Sequence, residues 1–131
     1  QAVEFIDTKP ERYNSPISQG GSNVSGGQKQ RLSIARAIAK HPDIYIFDDS
    51  FSALDYKTDV VLRRALKKET KDATTLIVAQ RISTILHADK ILVLDEGKIV
   101  GEGTHKELLK TCEIYQQIAM SQLSKEELEH E

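Results

Sequence analysis

The sequence is poor in cysteine, proline and tryptophan and contains no long apolar run. Its 131 residues include one cysteine, three prolines and no tryptophan. The single Cys112 excludes an internal disulfide, so the composition fits a reducing compartment. We expect neither a signal peptide nor a membrane span within these residues, and we expect the chain itself to be soluble.

An excess of charge of either sign is also absent. The chain carries 18 basic and 20 acidic side chains, a formal net charge of −2, and this balance gives no electrostatic case for nucleic acid. Arg63, Arg64, Lys67 and Lys68 are predicted to form an exposed helix face. Since no aromatic residues interleave with them, we expect no nucleic-acid partner.

The first informative segment is a glycine-rich turn at residues 24–28. Ser25 is expected to cap a helix, and Gly26 and Gly27 have no Cβ, so their backbone N–H groups can approach a phosphate at the positive end of the helix dipole. Ser25 and Gln28 can add side-chain hydrogen bonds. The alternative is that the glycine pair marks a plain turn.

The second informative segment is the apolar run at residues 44–47, which is typical of a buried parallel strand. It ends in Asp48 and Asp49, and paired carboxylates can hold Mg²⁺ beside a nucleotide phosphate. The alternative is that both aspartates cap the following turn.

The remaining pattern alternates strands with helices. Strands are predicted at 44–47, 74–79 and 91–94, a hairpin at 95–100, and helices at 28–40, 56–69, 83–87, 104–110 and 112–120, followed by an acidic tail to residue 131. This order predicts a parallel sheet whose carboxyl edge brings Asp48, Asp49 and Gln80 together.

These motifs, in this order, resemble the C-terminal part of the nucleotide-binding domain of an ATP-binding cassette (ABC) transporter. Residues 24–28, continuing to Leu32, resemble the family signature; 44–49 the Walker B strand; 52–55 the D-loop; 77–81 the segment of the switch histidine; and 18–21 the loop by which exporters contact their membrane helices. The implied fold is α/β, a P-loop NTPase-like ABC ATPase core with a mostly parallel sheet.

The resemblance also implies a division of the chain and a missing part. Residues 1–40 would end the helical subdomain, 41–110 would form the α/β core, and 111–131 a C-terminal helix and acidic tail. The chain contains no G-x-x-x-x-G-K-[ST], so the N-terminal Walker A portion is expected to be missing. We therefore expect exposed apolar sheet faces, weak MgATP binding and no ATPase activity from these residues alone.

The implied cofactors are ATP and Mg²⁺, with Asp48 binding the metal through water and Asp49 acting as a weakened base. Gln80 would read the γ-phosphate, and Ser52 and Asp55 would couple two sites across a dimer. The residues that would contact ATP held by the partner are Ser25, Gly26, Gly27 and Gln28.

Three positions depart from the family pattern. Asp49 stands for the usual glutamate and is shorter by one methylene, or roughly 1.5 Å. Gln80 stands for the switch histidine and can carry neither a proton nor a positive charge. Gln19 replaces a usual glutamate, with no consequence that we can assign. The chain's own site is therefore expected to hydrolyse ATP slowly.

The resemblance as a whole implies the motor part of an ATP-driven exporter at the cytoplasmic face of the membrane. The partners would be a second, different nucleotide-binding domain and transmembrane helices contacted near residues 18–21. Two alternatives stay open: a nucleotide-gated scaffold without hydrolysis, and a soluble ABC ATPase of DNA repair or translation.

Overall fold

The computed structural model describes residues 1–123, which form two compact units. The first unit is Gln1–Val78 and the second begins at Ala79. Most of the acidic tail predicted for residues 121–131 lies outside the described residues. Within residues 1–123, no helix is both long enough and apolar enough to cross a bilayer.

The first unit contains α1 (Val3–Asp7), short 3₁₀ turns at Arg12–Asn14 and Gln19–Gly21, α2 (Gly26–Ile38), β1 (Ile44–Asp48), α3 (Tyr56–Glu69) and β2 (Thr74–Val78). The second contains α4 (Ile82–Ile85), β3 (Ile91–Asp95), β4 (Lys98–Gly103), α5 (His105–Thr111) and α6 (Glu113–Gln122). From α2 onward the predicted order of helices and strands is confirmed, with ends shifted by at most three residues, whereas α1 was not predicted.

The first unit is built on a parallel strand pair. β1 and β2 run in register from Ile44 opposite Thr74 to Asp48 opposite Val78. Helices α2 and α3 contribute Ile34, Leu62 and Leu66 to the core. The other core residues of this unit are Tyr45, Phe47, Phe51 and Leu54.

Strand β1 is buried on one face only, which differs from the fully buried strand predicted from its sequence. Tyr45 and Phe47 are buried, whereas Ile44 and Ile46 are 61% and 66% exposed. Leu76 of β2 is also exposed. Side chains alternate between the two faces of a strand, and the helices of this unit cover one of them. The expected exposed apolar face of the sheet is thus present.

Helix α3 corrects one prediction about the basic residues. Arg63 was predicted to be exposed with Arg64, Lys67 and Lys68, but its guanidinium pairs with the buried carboxylate of Asp59. The Nη2–Oδ2 distance is 2.9 Å and the Nε–Oδ1 distance is 3.0 Å. A four-residue spacing places both side chains on one face of the helix, and a buried carboxylate needs such a partner.

The second unit corrects the predicted course of the third strand. β3 does not extend a parallel sheet with β1 and β2; it pairs antiparallel with β4 in a separate two-stranded sheet. The pairing with β4 has a local cause, because Glu96 and Gly97 both have positive φ, 44° and 75°, the turn geometry that favours a tight hairpin. The hairpin predicted at residues 95–100 is confirmed.

Helices α5 and α6 form an apolar cluster with β3 in which one polar pair is buried. Thr104 and Glu107 form the predicted capping box at the start of α5. His105 Nδ1 lies 2.8 Å from the Tyr115 hydroxyl oxygen, and both residues are at most 3% exposed. Burial raises the pKa of Tyr115 to about 12.

This pKa predicts a loss of stability in alkali. The pKa of tyrosine in an unfolded chain is about 10, so the unfolded state loses the Tyr115 proton first as pH rises. The free energy of unfolding should therefore fall between pH 10 and about 12, by up to about 1.4 kcal/mol per pH unit. Chemical unfolding over this range should show a steeper decline for the wild type than for Tyr115→Phe. Equal slopes would contradict the prediction.

Candidate functional site

The turn at residues 24–28 forms a capping box at the start of α2, as the predicted N-cap role of Ser25 requires. Ser25 Oγ accepts a hydrogen bond from the Gln28 backbone N–H at 3.2 Å. The Gln28 side-chain Oε1 accepts one from the Ser25 backbone N–H at 3.0 Å. This reciprocal pair fixes where the helix begins.

The capping box leaves hydrogen-bond donors for an anion. Gly26 and Gly27 are the first two residues of the helix, where backbone N–H groups have no acceptor within the helix. The Ser25 hydroxyl hydrogen and the Gln28 Nε2 amide are not used in the capping box either. Gly26 is exposed. These donors are suited to a phosphate group at the positive end of the helix dipole.

Gly27 has a second role that the sequence analysis missed. A Cβ at Gly27 would lie 3.0 Å from the Ala53 carbonyl oxygen, whereas a Cβ at Gly26 would lie 3.4 Å from Ala53 Cβ. Glycine at position 27 therefore favours the close approach of two backbone segments. Neither the interpretation of residues 24–28 as a plain turn nor their interpretation as a phosphate site included this contact.

Gln30, one turn into α2, joins the helix to the turn after β1. Its Nε2 donates to the Asp49 carbonyl oxygen at 2.9 Å and to Ser52 Oγ at 3.1 Å. Its Oε1 accepts from the Ala53 backbone N–H at 2.9 Å. The sequence analysis assigned Gln30 no role, because nothing in the local periodicity links residues about twenty positions apart. We call this set of bonds the Gln30 clamp.

The two aspartates lie where they were predicted, at the carboxyl end of β1. Asp48 is opposite Val78, the last residue of β2, and both aspartates are exposed. Asp49 has a positive φ of 48°, and its N–H donates to the Val78 carbonyl at 3.0 Å. A residue held in this sparsely populated backbone region is a common feature of functional turns.

The donor set of these aspartates fits Mg²⁺. The ion is usually held by one or two carboxylates, with nucleotide phosphates and water supplying its other ligands. Asp48 and Asp49 provide two adjacent exposed carboxylates. The described residues contain no cluster of three or more metal-ligating side chains.

Ser52 and Asp55 both take part in local structure. Ser52 Oγ donates to the Asp49 carbonyl at 3.3 Å and accepts from Gln30. Asp55 caps α3, accepting from the Thr58 hydroxyl at 2.6 Å and from the Thr58 N–H at 3.0 Å. These bonds, the hydroxyl bond above all, lower the pKa of Asp55. Their predicted role across a dimer stays a prediction.

Gln80 is exposed and lies two residues beyond β2, at the start of the second unit. The predicted meeting of Gln80 with Asp48 and Asp49 therefore stays a prediction.

The loop at residues 18–21 is braced by Asn23, another residue that the sequence analysis missed. Asn23 Oδ1 accepts from the Ser18 N–H at 3.1 Å, and its Nδ2 donates to the Pro16 carbonyl at 3.0 Å. Gly20 and Gly21 both have positive φ, 69° and 65°. Gln19 and Gly20 are exposed, so the loop has a fixed shape and an accessible surface.

Comparison with known proteins agrees with this geometry. The family model described as "ABC transporter" matches residues 2–52. An uncharacterized ABC transporter ATP-binding protein of Mycobacterium bovis is 53% identical over 118 residues, covering 90% of this chain and 20% of that protein. Multidrug resistance protein 1 of Entamoeba histolytica is 45% identical over 121 residues, 92% of this chain and 9% of that protein.

A solved structure supports the same assignment. A bacterial Atm1-family ABC exporter with ATP bound superposes with a TM-score of 0.85 at 35% identity, covering 93% of this chain and 21% of that one. The fold is therefore the α/β fold of ABC ATPases. The chain is part of an ABC transporter nucleotide-binding domain, homologous to the ATP-binding proteins of ABC exporters. It spans about a fifth of the length of its mycobacterial relative.

The two glycines of the turn should respond differently to an added methyl group. Gly27→Ala places a Cβ against the Ala53 carbonyl, and overpacking of this kind costs about 1 to 3 kcal/mol. Gly26→Ala meets only an ordinary contact at 3.4 Å and serves as the matched control. Chemical unfolding should therefore show that Gly27→Ala is the less stable variant. Equal stabilities would contradict the close approach.

Removing the Gln30 clamp should loosen the turn after β1. Gln30→Met keeps the size of the side chain but makes no hydrogen bond, and each lost bond costs about 0.5 to 1.5 kcal/mol. Hydrogen exchange of the Ala53 amide should therefore accelerate about tenfold. Arg36→Met, at an exposed position of the same helix, is the control and should leave that amide unchanged. An unchanged Ala53 amide in Gln30→Met would contradict the clamp.

Proposed function

We propose that this chain is part of the ATP-driven motor of an exporter, and that its glycine turn completes a nucleotide site on a partner domain. The observation that carries the proposal is the exposed start of α2, where Ser25, Gly26, Gly27 and Gln28 present donors suited to a phosphate. The resemblance of residues 24–28 to the ABC signature supports the same proposal, because in that family the signature completes the nucleotide site of the partner domain.

The partner is a second nucleotide-binding domain, paired head to tail with this one. Within this chain, the Gln30 clamp ties the proposed anion-binding turn to Ser52 and Ala53. A phosphate bound at the turn is thereby connected to the segment that precedes Asp55. In the proposed dimer, Ser52 and Asp55 couple the two nucleotide sites to each other.

The chain's own site holds nucleotide but hydrolyses it slowly. Asp48 binds Mg²⁺, through water, and Gln80 donates a hydrogen bond to the γ-phosphate. Asp49 positions water poorly, since its carboxylate is shorter than that of glutamate by roughly 1.5 Å. Misplacing a general base costs about 10² to 10⁴ in rate. The motor is therefore asymmetric, and the partner is a different subunit that carries the faster site.

The loop at residues 18–21 is the proposed contact with transmembrane helices. Its support is structural, since Asn23 holds it in one shape and Gln19 and Gly20 are exposed. ATP would clamp the two domains together, and this loop would transmit closure to the membrane part. The assembly would then lie at the cytoplasmic face of the membrane and move a solute outward.

These residues alone are not expected to hydrolyse ATP. The phosphate-cradling loop and its lysine are absent from the chain, so MgATP should bind weakly. One face of β1 and β2 is apolar and exposed, with Leu76 and Val78 each about half accessible. The proposed activity therefore belongs to the full-length protein in its dimer.

Restoring the usual side chains should raise hydrolysis at the slow site. Asp49→Glu combined with Gln80→His, made in the full-length heterodimer, lengthens the base and returns a group that can carry a proton. We expect site-resolved ATP turnover to rise about tenfold or more.

The control for this experiment is Asp72→Glu with Gln117→His, which makes the same two changes at exposed positions. Turnover should not change in this control. If the double variant at 49 and 80 also leaves turnover unchanged, the catalytic roles of both residues are wrong. If the assembled complex hydrolyses no ATP in any form, the scaffold function replaces the motor.

A further inference from the structure

The side chain of Gln122, at the end of α6, is bonded to the segment that follows β2. Its Nε2 donates to the Gln80 carbonyl oxygen at 2.9 Å. Its Oε1 accepts from the Ile82 backbone N–H, also at 2.9 Å. One side-chain amide thus satisfies a carbonyl and an N–H two residues apart, as a neighbouring strand would do. The sequence separations are 42 and 40 residues.

Both ends of this bridge are anchored by burial. Ile82 is 3% exposed and lies in one apolar cluster with Tyr115 and Ala119. Tyr115 and Ala119 are four residues apart on α6, so they share the face of the helix that packs into the cluster. Gln122 follows Ala119 by three residues and is therefore held close to this face. The helix and Ile82 cannot separate without exposing apolar surface.

The segment between the anchors is short. Gln80 is exposed, and Arg81 has the extended conformation, with φ −93° and ψ 124°, just before α4 begins. Without the bridge, the peptide group of Gln80 could rotate about its backbone torsions while Ile82 stayed buried. With both hydrogen bonds present, the direction of the Gln80 carbonyl is fixed, and so is the backbone from which its side chain extends.

We infer that Gln122 is a positioning residue for Gln80, and that α6 thereby controls how well Gln80 meets the γ-phosphate. This inference rests on the proposed function, in which Gln80 bonds that phosphate. It adds to the nucleotide site a part of the chain that is distant in sequence from every recognised motif. Gln122 itself does not contact the nucleotide in this proposal.

The test compares ATP with ADP, because only ATP has a γ-phosphate. In the full-length heterodimer, Gln122→Met keeps the length of the side chain but removes both hydrogen bonds. Affinities for MgADP and for a non-hydrolysable MgATP analogue are measured by calorimetry with a two-site fit. We expect the preference for the ATP analogue at the affected site to fall about fivefold, since a hydrogen bond to a charged group is weakened rather than removed.

Two companion measurements make the result specific. Hydrogen exchange of the Ile82 amide should accelerate about tenfold in Gln122→Met, as expected for one lost hydrogen bond. Gln122→Glu keeps an acceptor for Ile82 but loses the donor to Gln80, so it should slow Ile82 exchange again without restoring the ATP preference. Gln117→Met is the control, since Gln117 lies on the same helix and its amide donates only weakly to Glu113, at 3.4 Å.

The outcomes separate this inference from the proposed function. If Gln80→Ala lowers the ATP preference but Gln122→Met does not, the positioning role is overturned and the function stands. Equal losses of ATP and ADP affinity in Gln122→Met would also overturn it, because they indicate a general structural effect. If Gln80→Ala leaves the ATP preference intact, the role proposed for Gln80 is wrong, and the positioning role of Gln122 is then overturned as well.

Discussion

The contact between the start of α2 and the turn after β1 is the constraint on which the site depends. It consists of the Gln30 clamp and the close approach of Gly27 to Ala53. A glutamine amide that bonds two backbone groups and a hydroxyl holds the turn in one position. Glycine at position 27 lets the two backbones lie closer than a residue with a Cβ would allow without a shift. The glycine turn and the residues after β1 are therefore held together as one element.

This constraint explains how local structure and nucleotide chemistry share the same residues. Asp55 caps a helix, and Ser25 and Gln28 cap another, yet each is a residue to which we assign a role at a nucleotide. A capping side chain is held in place by its hydrogen bonds to the backbone. A side chain with such a fixed position is useful in a binding site. The capping role of these residues and their proposed role at a nucleotide are thus compatible, and one does not replace the other.

Much of the fold could be predicted because its signals are local. Helical spacing, the Ser25 and Thr104 caps and the Glu96–Gly97 turn all act within a few residues. The prediction that β3 joins a parallel sheet was wrong, because the order of strands along a chain does not determine which strands pair. Gln30 and Gln122 were missed for a related reason, because their partners lie about twenty and forty residues away. Asn23 was missed although its partners are only five and seven residues away, because a lone asparagine in a loop has no pattern that reveals its contacts.

The central claim is that Gly26 and Gly27 serve a nucleotide held by a neighbouring domain. Hydrogen exchange of these two amides, measured in the assembled full-length protein with and without MgATP, tests it most directly. The account predicts strong protection that requires both ATP and the partner. Exchange that stays the same on adding ATP to the complete assembly would contradict it.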